Sequence, residues 1–268
     1  MQQQHSGRQN MTYLLRQDND GIATLTLNCP QARNALGQGM LEALLKAFDA
    51  IATDDSVRVV ILAGAGPAFC AGHDLKEMRA NDYSRAYTEA LFATCAAVMQ
   101  SIVNCPKPVI ARVHGIATAA GCQLVASCDL AVAADDSRFA TPGVNIGLFC
   151  STPMVALSRN VAPKHAMQML LTGDLIDAET ALRFGLVNEL VPAAELEQRT
   201  LALAQKLASK SPVTLAIGKE AFYRQAEMTL ADAYAYTREV MTKNLETRDA
   251  QEGIGAFIDK RPPVWCGK

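Results

Sequence analysis

Two stretches of small residues stand where an apolar strand pattern gives way to a helix pattern. The first runs from VIARV at 109–113 through Gly115 to ATAAG at 117–121. The first amides of a helix have no carbonyl partner within it and lie at the positive end of its dipole. With little side-chain bulk at 117–121, an oxygen of a bound molecule can approach these amides closely. A single stretch of this kind is more often typical of close packing between a helix and a strand.

The second stretch makes oxygen binding the better hypothesis. The aliphatic run 57–62 is followed by a turn at 64–67 and then by Ala71, Gly72 and His73 at the start of another short helix. Two amides from separate turns can converge on one oxygen. Each is worth about 3–4 kcal/mol when that oxygen carries a negative charge. The sequence therefore predicts an oxyanion hole.

These motifs resemble those of a known superfamily. Residues 69–78, FCAGHDLKEM, resemble the first oxyanion-hole segment of the enoyl-CoA hydratase/isomerase (crotonase) superfamily, and residues 108–129 resemble the second. The similarity extends over nearly the whole chain, through 27–36, 171–191 and 252–265. It implies an α/β fold, a crotonase-like spiral of repeated ββα units with a C-terminal α-helical trimerisation region. It also implies a lyase of fatty acid metabolism that acts on a coenzyme A thioester.

The resemblance assigns roles to individual positions. The backbone amides of His73 and Ala120 would form the oxyanion hole, and no permanently bound cofactor is implied. Six residues match positions that contact coenzyme A: Ala32, Arg33, Ala71, Leu75, Phe257 and Lys260. Taken alone, Arg33 is more often typical of an exposed loop charge, and Phe257 is equally typical of core packing.

The two glutamates that family hydratases use as acid and base are missing. Their positions match Gln123, in AAGCQ, and Gly143, in FATPG. An amide orients a water molecule but does not take its proton at neutral pH, and glycine offers no functional group. The usual mechanism with paired carboxylates is therefore absent from both expected positions.

Two places could supply a replacement acid or base. The His73 side chain titrates near neutral pH, and a related subgroup of acyl-CoA decarboxylases also has histidine there. Ser151, with its neighbours Cys150 and Thr152, follows the lost second glutamate. Three alternatives remain open: a hydratase or isomerase with a relocated acid/base group, a decarboxylase or thioesterase, or an acyl-CoA-binding protein without turnover. Decarboxylation tolerates these losses best because it mainly requires stabilisation of an enolate.

The elements that must position these residues follow from hydrophobic periodicity. Strand patterns alternate with helix patterns, which is typical of an α/β fold with a largely parallel sheet. The strand patterns lie at 22–28, 57–62, 109–113 and 130–133. After Pro192 helix patterns dominate, at 194–209, 212–226 and 230–248.

The change in composition near residue 200 suggests how the chain is divided. We predict a leader at 1–10, a spiral core at 11–200, and a helical region at 201–268 that serves trimerisation and covers coenzyme A. The resemblance implies a homotrimer or a dimer of trimers, because family members use this region for assembly.

Composition argues against several other classes of function. The 25 basic and 27 acidic residues are scattered, so nothing favours nucleic-acid binding. The eight cysteines form no C-x-x-C pair and the four histidines lack ligand spacing, so we expect reduced cysteines and no metal site. The uncharged run 139–158 contains prolines and glycines, which predicts a loop and a buried helix and not a membrane span. Residues 1–10 lack the apolar core of a secretory signal, so we expect a cytoplasmic location.

Overall fold

The structure, a computed structural model, describes residues 12–268. The leader predicted at 1–10 lies outside the described residues. The strands are β1 Leu14–Asn19, β2 Ile22–Leu27, β3 Val59–Gly64, β4 Val109–Val113, β5 Ile116–Thr118, β6 Leu130–Ala134, β7 Arg138–Ala140, β8 Ile176–Asp177 and β9 Glu189–Val191. The α-helices are α1 Gln38–Ala52, α2 Leu75–Ala80, α3 Arg85–Asn104, α4 Ala120–Ser127, α5 Ser151–Asn160, α6 Pro163–Thr172, α7 Ala178–Phe184, α8 Leu196–Ala208, α9 Pro212–Gln225, α10 Leu230–Leu245 and α11 Arg248–Ile258.

The strands form two sheets that the chain visits in turn. The larger sheet has the order β1-β2-β3-β4-β6-β9, with β1 antiparallel to β2 and the other neighbours parallel. The smaller sheet has the order β5-β7-β8. After β4 the chain enters the smaller sheet at β5 and then forms α4, and β6, β7 and α5 repeat this order. This is the spiral of ββα units that the sequence resemblance predicts.

The larger sheet is covered on both faces, which explains its continuous aliphatic strands. Leu62 of β3 belongs to the core cluster shared with α1, α3 and α4, whereas its neighbour Ile61 packs with Leu196 and Ala204 of α8. The boundary predicted between residues 200 and 201 falls inside α8. Because Leu196 and Ala204 of this helix are buried against the larger sheet, α8 packs as part of the core. All eight cysteines are free thiols in the described residues, and seven of them are buried.

Helix α3 and the uncharged run 139–158 are the two segments whose composition could suggest a membrane span. Helix α3 is long and apolar enough to cross a bilayer, by length and composition. Its residues Leu91, Val98 and Ile102 are buried in the main core cluster, which is the arrangement of a core helix. The prediction of a buried helix within 139–158 is wrong in part, because α5 lies at the surface and buries only Pro153 and Leu157.

The C-terminal helices match the predicted pattern with one difference. The helix predicted at 230–248 ends earlier, because α10 stops at Leu245 and a second helix, α11, begins at Arg248. Thr247 caps the start of α11, where its hydroxyl accepts a hydrogen bond from the Ala250 amide. A threonine at this position satisfies one of the unpaired amides of a helix start, so it separates the two helices. Helix α10 has no buried residue.

Candidate functional site

The two small-residue stretches lie side by side, joined by backbone hydrogen bonds. The Cys70 amide donates to the Ile116 carbonyl at 3.1 Å, and the Thr118 amide donates to the Cys70 carbonyl at 3.0 Å. The Thr118 hydroxyl adds a bond to the Ala71 carbonyl at 3.1 Å. The two stretches that carry the predicted amides are therefore adjacent in the structure.

Glycine is required where these stretches touch. A Cβ atom on Gly121 would lie 2.1 Å from the Cys70 carbonyl oxygen, so no side chain fits there. Gly72 has φ of +94°, and a Cβ atom on it would lie 2.9 Å from the Ala119 Cβ and 3.4 Å from the Ala120 amide nitrogen. Gly72 therefore allows the two turns to pack closely together beside the Ala120 amide.

The backbone around the two predicted amides directs both away from protein acceptors. Ala120 is the first residue of α4, so its amide has no acceptor within the helix. The preceding residue, Ala119, has φ of +50° and its amide donates to the Ala140 carbonyl at 2.9 Å. On the other segment, Leu36 bonds to the Gly72 carbonyl and the Asp74 amide, and within the described residues the His73 amide between them has no acceptor. The strained backbone at Ala119 thus presents the Ala120 amide, as is common at functional sites.

The His73 side chain is partly buried, and its hydrogen bond indicates which ring nitrogen carries the proton. Its Nδ1 lies 3.2 Å from the Leu36 carbonyl oxygen. Because a carbonyl only accepts, we assign the proton to Nδ1 and a lone pair to Nε2. Nε2 is buried and has no partner in the described part of the chain. Burial also lowers the pKa of His73 below its usual value, although the bond to Leu36 acts in the opposite direction.

The two thiols near the amides are unsuited to proton transfer at neutral pH. Burial raises the pKa of the Cys70 thiol to about 12, and that of the Cys122 thiol to about 12. The Asp74 carboxylate accepts hydrogen bonds from the Lys76 and Glu77 amides and thereby caps α2. No helix-capping bond engages the Nε2 atom of His73, and we take His73 as the candidate proton-transfer group within residues 70–74 and 117–124.

Gln123 and Thr141 add uncharged polar atoms beside the α4 start. Gln123 lies one turn after Ala120, is 4% exposed, and has an Oε1 atom without a partner in the described residues. Thr141 follows Ala140, the acceptor of the Ala119 amide, and its buried hydroxyl likewise lacks a partner there. Sequence reasoning missed Thr141. The available signal was a polar residue directly after the apolar end of a strand.

The place of the second glutamate is filled by backbone. A Cβ atom on Gly143 would lie 2.0 Å from the Leu148 carbonyl oxygen and 2.9 Å from the Cys150 sulfur. The Leu148 amide also donates to the Gly143 carbonyl at 2.9 Å, which holds the loop in place. Ser151 is exposed, and its hydroxyl contacts the Phe149 carbonyl at 3.4 Å. The structure therefore does not bring Ser151 to the buried polar atoms.

The predicted coenzyme A contacts divide into two groups. Arg33 follows the short helical turn Pro30–Ala32, and its carbonyl accepts from the Ala71 amide at 3.0 Å, so these residues join the oxyanion segment. Leu75 is half exposed at the start of α2. Phe257 is 85% exposed on α11, which packs mainly against α9 and α10, and Lys260 follows that helix. The structure brings the first group together and leaves Phe257 and Lys260 on the helical region.

Comparison with known proteins identifies the same family over nearly the whole chain. The family model described as enoyl-CoA hydratase/isomerase matches residues 17–268. The human protein named enoyl-CoA hydratase domain-containing protein 3, mitochondrial, is 50% identical over 246 residues, which cover 92% of this chain and 81% of the human one. The segments ATAAGCQL at 117–124, FATPG at 139–143 and GLFCSTP at 147–153 resemble this branch of the family, and the identity confirms that resemblance.

Two solved structures share both sequence and fold with this chain. An enoyl-CoA hydratase from Mycobacterium smegmatis is 54% identical with a TM-score of 0.93, and the match covers 95% of this chain and 99% of the other. The structure of human enoyl Coenzyme A hydratase domain-containing protein 3 is 49% identical with a TM-score of 0.91, covering 94% and 100%.

The expected cytoplasmic location is wrong by the same comparison. The human, Xenopus laevis and Rattus norvegicus relatives are all named as mitochondrial. The sequence argument failed because a mitochondrial transit peptide is amphipathic, so the lack of an apolar secretory core does not exclude one. The family itself is established by the matched residues and the shared crotonase fold, and the chain belongs to the enoyl-CoA hydratase/isomerase family.

Proposed function

We propose that this protein binds an acyl-CoA thioester and stabilises the enolate of its thioester group with the amides of His73 and Ala120. The observation that carries the proposal is the pair of amides that have no protein acceptor within residues 12–268, on two turns packed together at Gly72 and Gly121. Two such donors, fixed before the substrate arrives, are worth about 3–4 kcal/mol each against a developing oxyanion. Coenzyme A is part of the substrate, and no permanently bound cofactor is needed for this step.

The first candidate reaction is hydration, as the names of the relatives suggest, with His73 in place of the glutamates. Nε2 would take a proton from water while the water oxygen bonds to the β-carbon of an enoyl thioester. The electron pair of the double bond would move onto the thioester oxygen held by the two amides. The imidazolium would then return a proton to the α-carbon, which completes the addition.

The second candidate is decarboxylation of a malonyl-type thioester, and the filled space at Gly143 favours it. Cleavage of the carbon–carbon bond releases carbon dioxide and places the electron pair in the enolate, so no base is required. The α-carbon then takes a proton from solvent. Residues 70–74 and 117–124 contain no lysine or arginine. The leaving carboxylate would therefore be held by hydrogen bonds from the Gln123 side-chain NH2 group and the Thr141 hydroxyl.

We also propose that coenzyme A contacts Ala32, Arg33, Ala71 and Leu75, with Phe257 and Lys260 covering it from the helical region. The adjacency of Arg33 and Ala71 supports the first group. The exposure of Phe257 supports a role for the helical region in contact with a ligand or another copy of the chain. Assembly as a homotrimer or a dimer of trimers belongs to this proposal.

Incubation of the purified protein with crotonyl-CoA and, separately, methylmalonyl-CoA tests both reactions, with products followed by mass spectrometry. Hydration predicts a water adduct that is lost in His73→Ala. Decarboxylation predicts loss of carbon dioxide that persists in His73→Ala but decreases in Gln123→Ala. His165→Ala is the matched control, since His165 stacks on Phe184 at 3.8 Å in another part of the fold. Free coenzyme A would identify a thioesterase, and binding without any product would overturn both reactions.

A further inference from the structure

The Asn34 side chain is the most fully bonded polar group beside the candidate site. It is completely buried, and its Oδ1 accepts from the Cys29 amide at 2.9 Å. Its Nδ2 lies within hydrogen-bonding distance of three carbonyls, those of Ala65 at 2.9 Å, Ala68 at 2.8 Å and Phe69 at 3.1 Å. Two N–H groups shared among three acceptors, with the oxygen also paired, satisfy the whole carboxamide.

These three carbonyls belong to the turn that leads into the first oxyanion segment. Two backbone hydrogen bonds extend the contact between these two segments toward the oxyanion hole. The Ala71 amide donates to the Arg33 carbonyl at 3.0 Å, and the Leu36 amide donates to the Gly72 carbonyl at 2.7 Å. Residues 29–36 are therefore fixed to residues 65–72 along their length. His73, which supplies one of the two amides, is the next residue.

The turn at residues 64–69 is closely packed against Asn34. A Cβ atom on Gly64 would lie 2.6 Å from the Phe69 carbonyl oxygen and 2.9 Å from Asn34 Nδ2. Asn34 itself has φ of +55°, a conformation that asparagine and glycine adopt more readily than other residues. The carboxamide therefore sits at the centre of a tight turn whose position depends on its three acceptors.

We propose that Asn34 is a positioning residue of the oxyanion hole, which sets the place of the His73 amide by holding residues 65–69 against the turn at 29–34. This inference rests on the proposed function. It also links the candidate coenzyme A contacts to the hole, because Ala32 and Arg33 lie in the same turn as Asn34. Loss of the carboxamide would leave the Cys29 amide and three carbonyls without their partner.

The test uses a conjugated dienoyl-CoA thioester, whose absorption shifts to longer wavelength when its carbonyl is polarised by hydrogen bonds. Asn34→Gly removes the carboxamide and keeps a residue that accepts positive φ. We expect it to lose most of the red shift at saturating ligand, while its Kd changes by less than about tenfold. In Asn34→Asp the shift should be weak at neutral pH and return in part at lower pH, because a protonated carboxyl can donate one hydrogen bond.

Asn188→Ala is the matched control. Its side chain also fixes a backbone group, since Oδ1 accepts from the Ala131 amide at 2.8 Å, but it lies away from the two segments. This variant should bind the thioester with the full red shift. Circular dichroism and urea unfolding of all variants separate a change in the site from a change in folding.

Each result decides between the inferences. A bound wild-type complex without a red shift would overturn the proposed oxyanion hole. A wild-type shift that Asn34→Gly retains, or that Asn188→Ala loses equally, would overturn the role of Asn34. If both Asn34 variants fail to fold while Asn188→Ala folds, Asn34 serves global stability and the inference is likewise overturned.

Discussion

At the scale of the residue, the candidate proton-transfer group differs in kind from the glutamates of family hydratases. Gln123 and Gly143 cannot titrate, whereas His73 is partly buried and its buried Nε2 atom has no partner in the described residues. Burial disfavours the charged form of either group, but it acts in opposite directions on their pKa values. A buried carboxylate becomes a weaker acid, while a buried imidazole stays neutral over a wider range of pH.

We expect His73 to titrate below pH 6.5, the usual value for histidine, because burial lowers its pKa. Unfolded chains would take up the proton near pH 6.5 and the folded chain only at lower pH. His73 therefore reduces the free energy of unfolding as pH falls through this window, and has no such effect above it. Nitrogen-15 NMR of the imidazoles, with His73→Gln used for assignment, should show the Nδ1–H tautomer at neutral pH. A positively charged His73 ring at pH 7 would contradict this prediction.

At the scale of the element, the loop between β7 and α5 decides what chemistry is available. Its backbone folds back so that the Leu148 carbonyl occupies the space where a side chain at Gly143 would begin. The loop therefore excludes a second carboxylate even where mutation would supply one. The exclusion depends on where the backbone places Leu148, five residues after Gly143. Glycine in place of glutamate at position 143 therefore does not reveal it from the sequence.

Gly143→Ala should lower the free energy of unfolding by about 1–3 kcal/mol, the usual cost of overpacking a close contact. Gly218→Ala is the control for the same chemical change, because nothing lies within 4 Å of a Cβ atom there and the residue is in α9. That control should raise stability by up to about 1 kcal/mol, since alanine favours a helix over glycine. Urea unfolding measures both. Equal effects of the two substitutions would show that the Leu148 backbone yields readily.

Several elements could be predicted from the sequence because local signals determine them. Helix α7 has a local signal at each end, since the Asp177 side chain caps its start and Gly185 adopts the left-handed conformation at its end. The buried strand β4 has its predicted bounds. In contrast, β1 is largely exposed and β8 has two residues, so neither carries a strong hydrophobic pattern.

At the scale of the whole molecule, the apolar surface of the C-terminal helices is the main feature that one chain leaves unexplained. Tyr234 and Met241 of α10 are each more than 70% exposed, and Phe257 of α11 is 85% exposed. Large exposed apolar patches usually mark an interface. The family resemblance predicts assembly through these helices, whereas periodicity alone predicts only amphipathic helices, because a partner surface would belong to another copy of the chain.

We expect the wild-type protein to have three or six times the chain mass of 28.7 kDa in solution, as measured by light scattering after size-exclusion chromatography. Met241→Asp should shift the population toward the monomer, because a carboxylate placed in an apolar interface loses its hydration without a partner. Leu15→Asp, on the edge strand β1, introduces the same charge at an exposed apolar position and should leave the assembly intact. A wild-type monomer at micromolar concentration would contradict the proposed trimer. Equal dissociation by both variants would show that charge, and not the α10 surface, controls assembly.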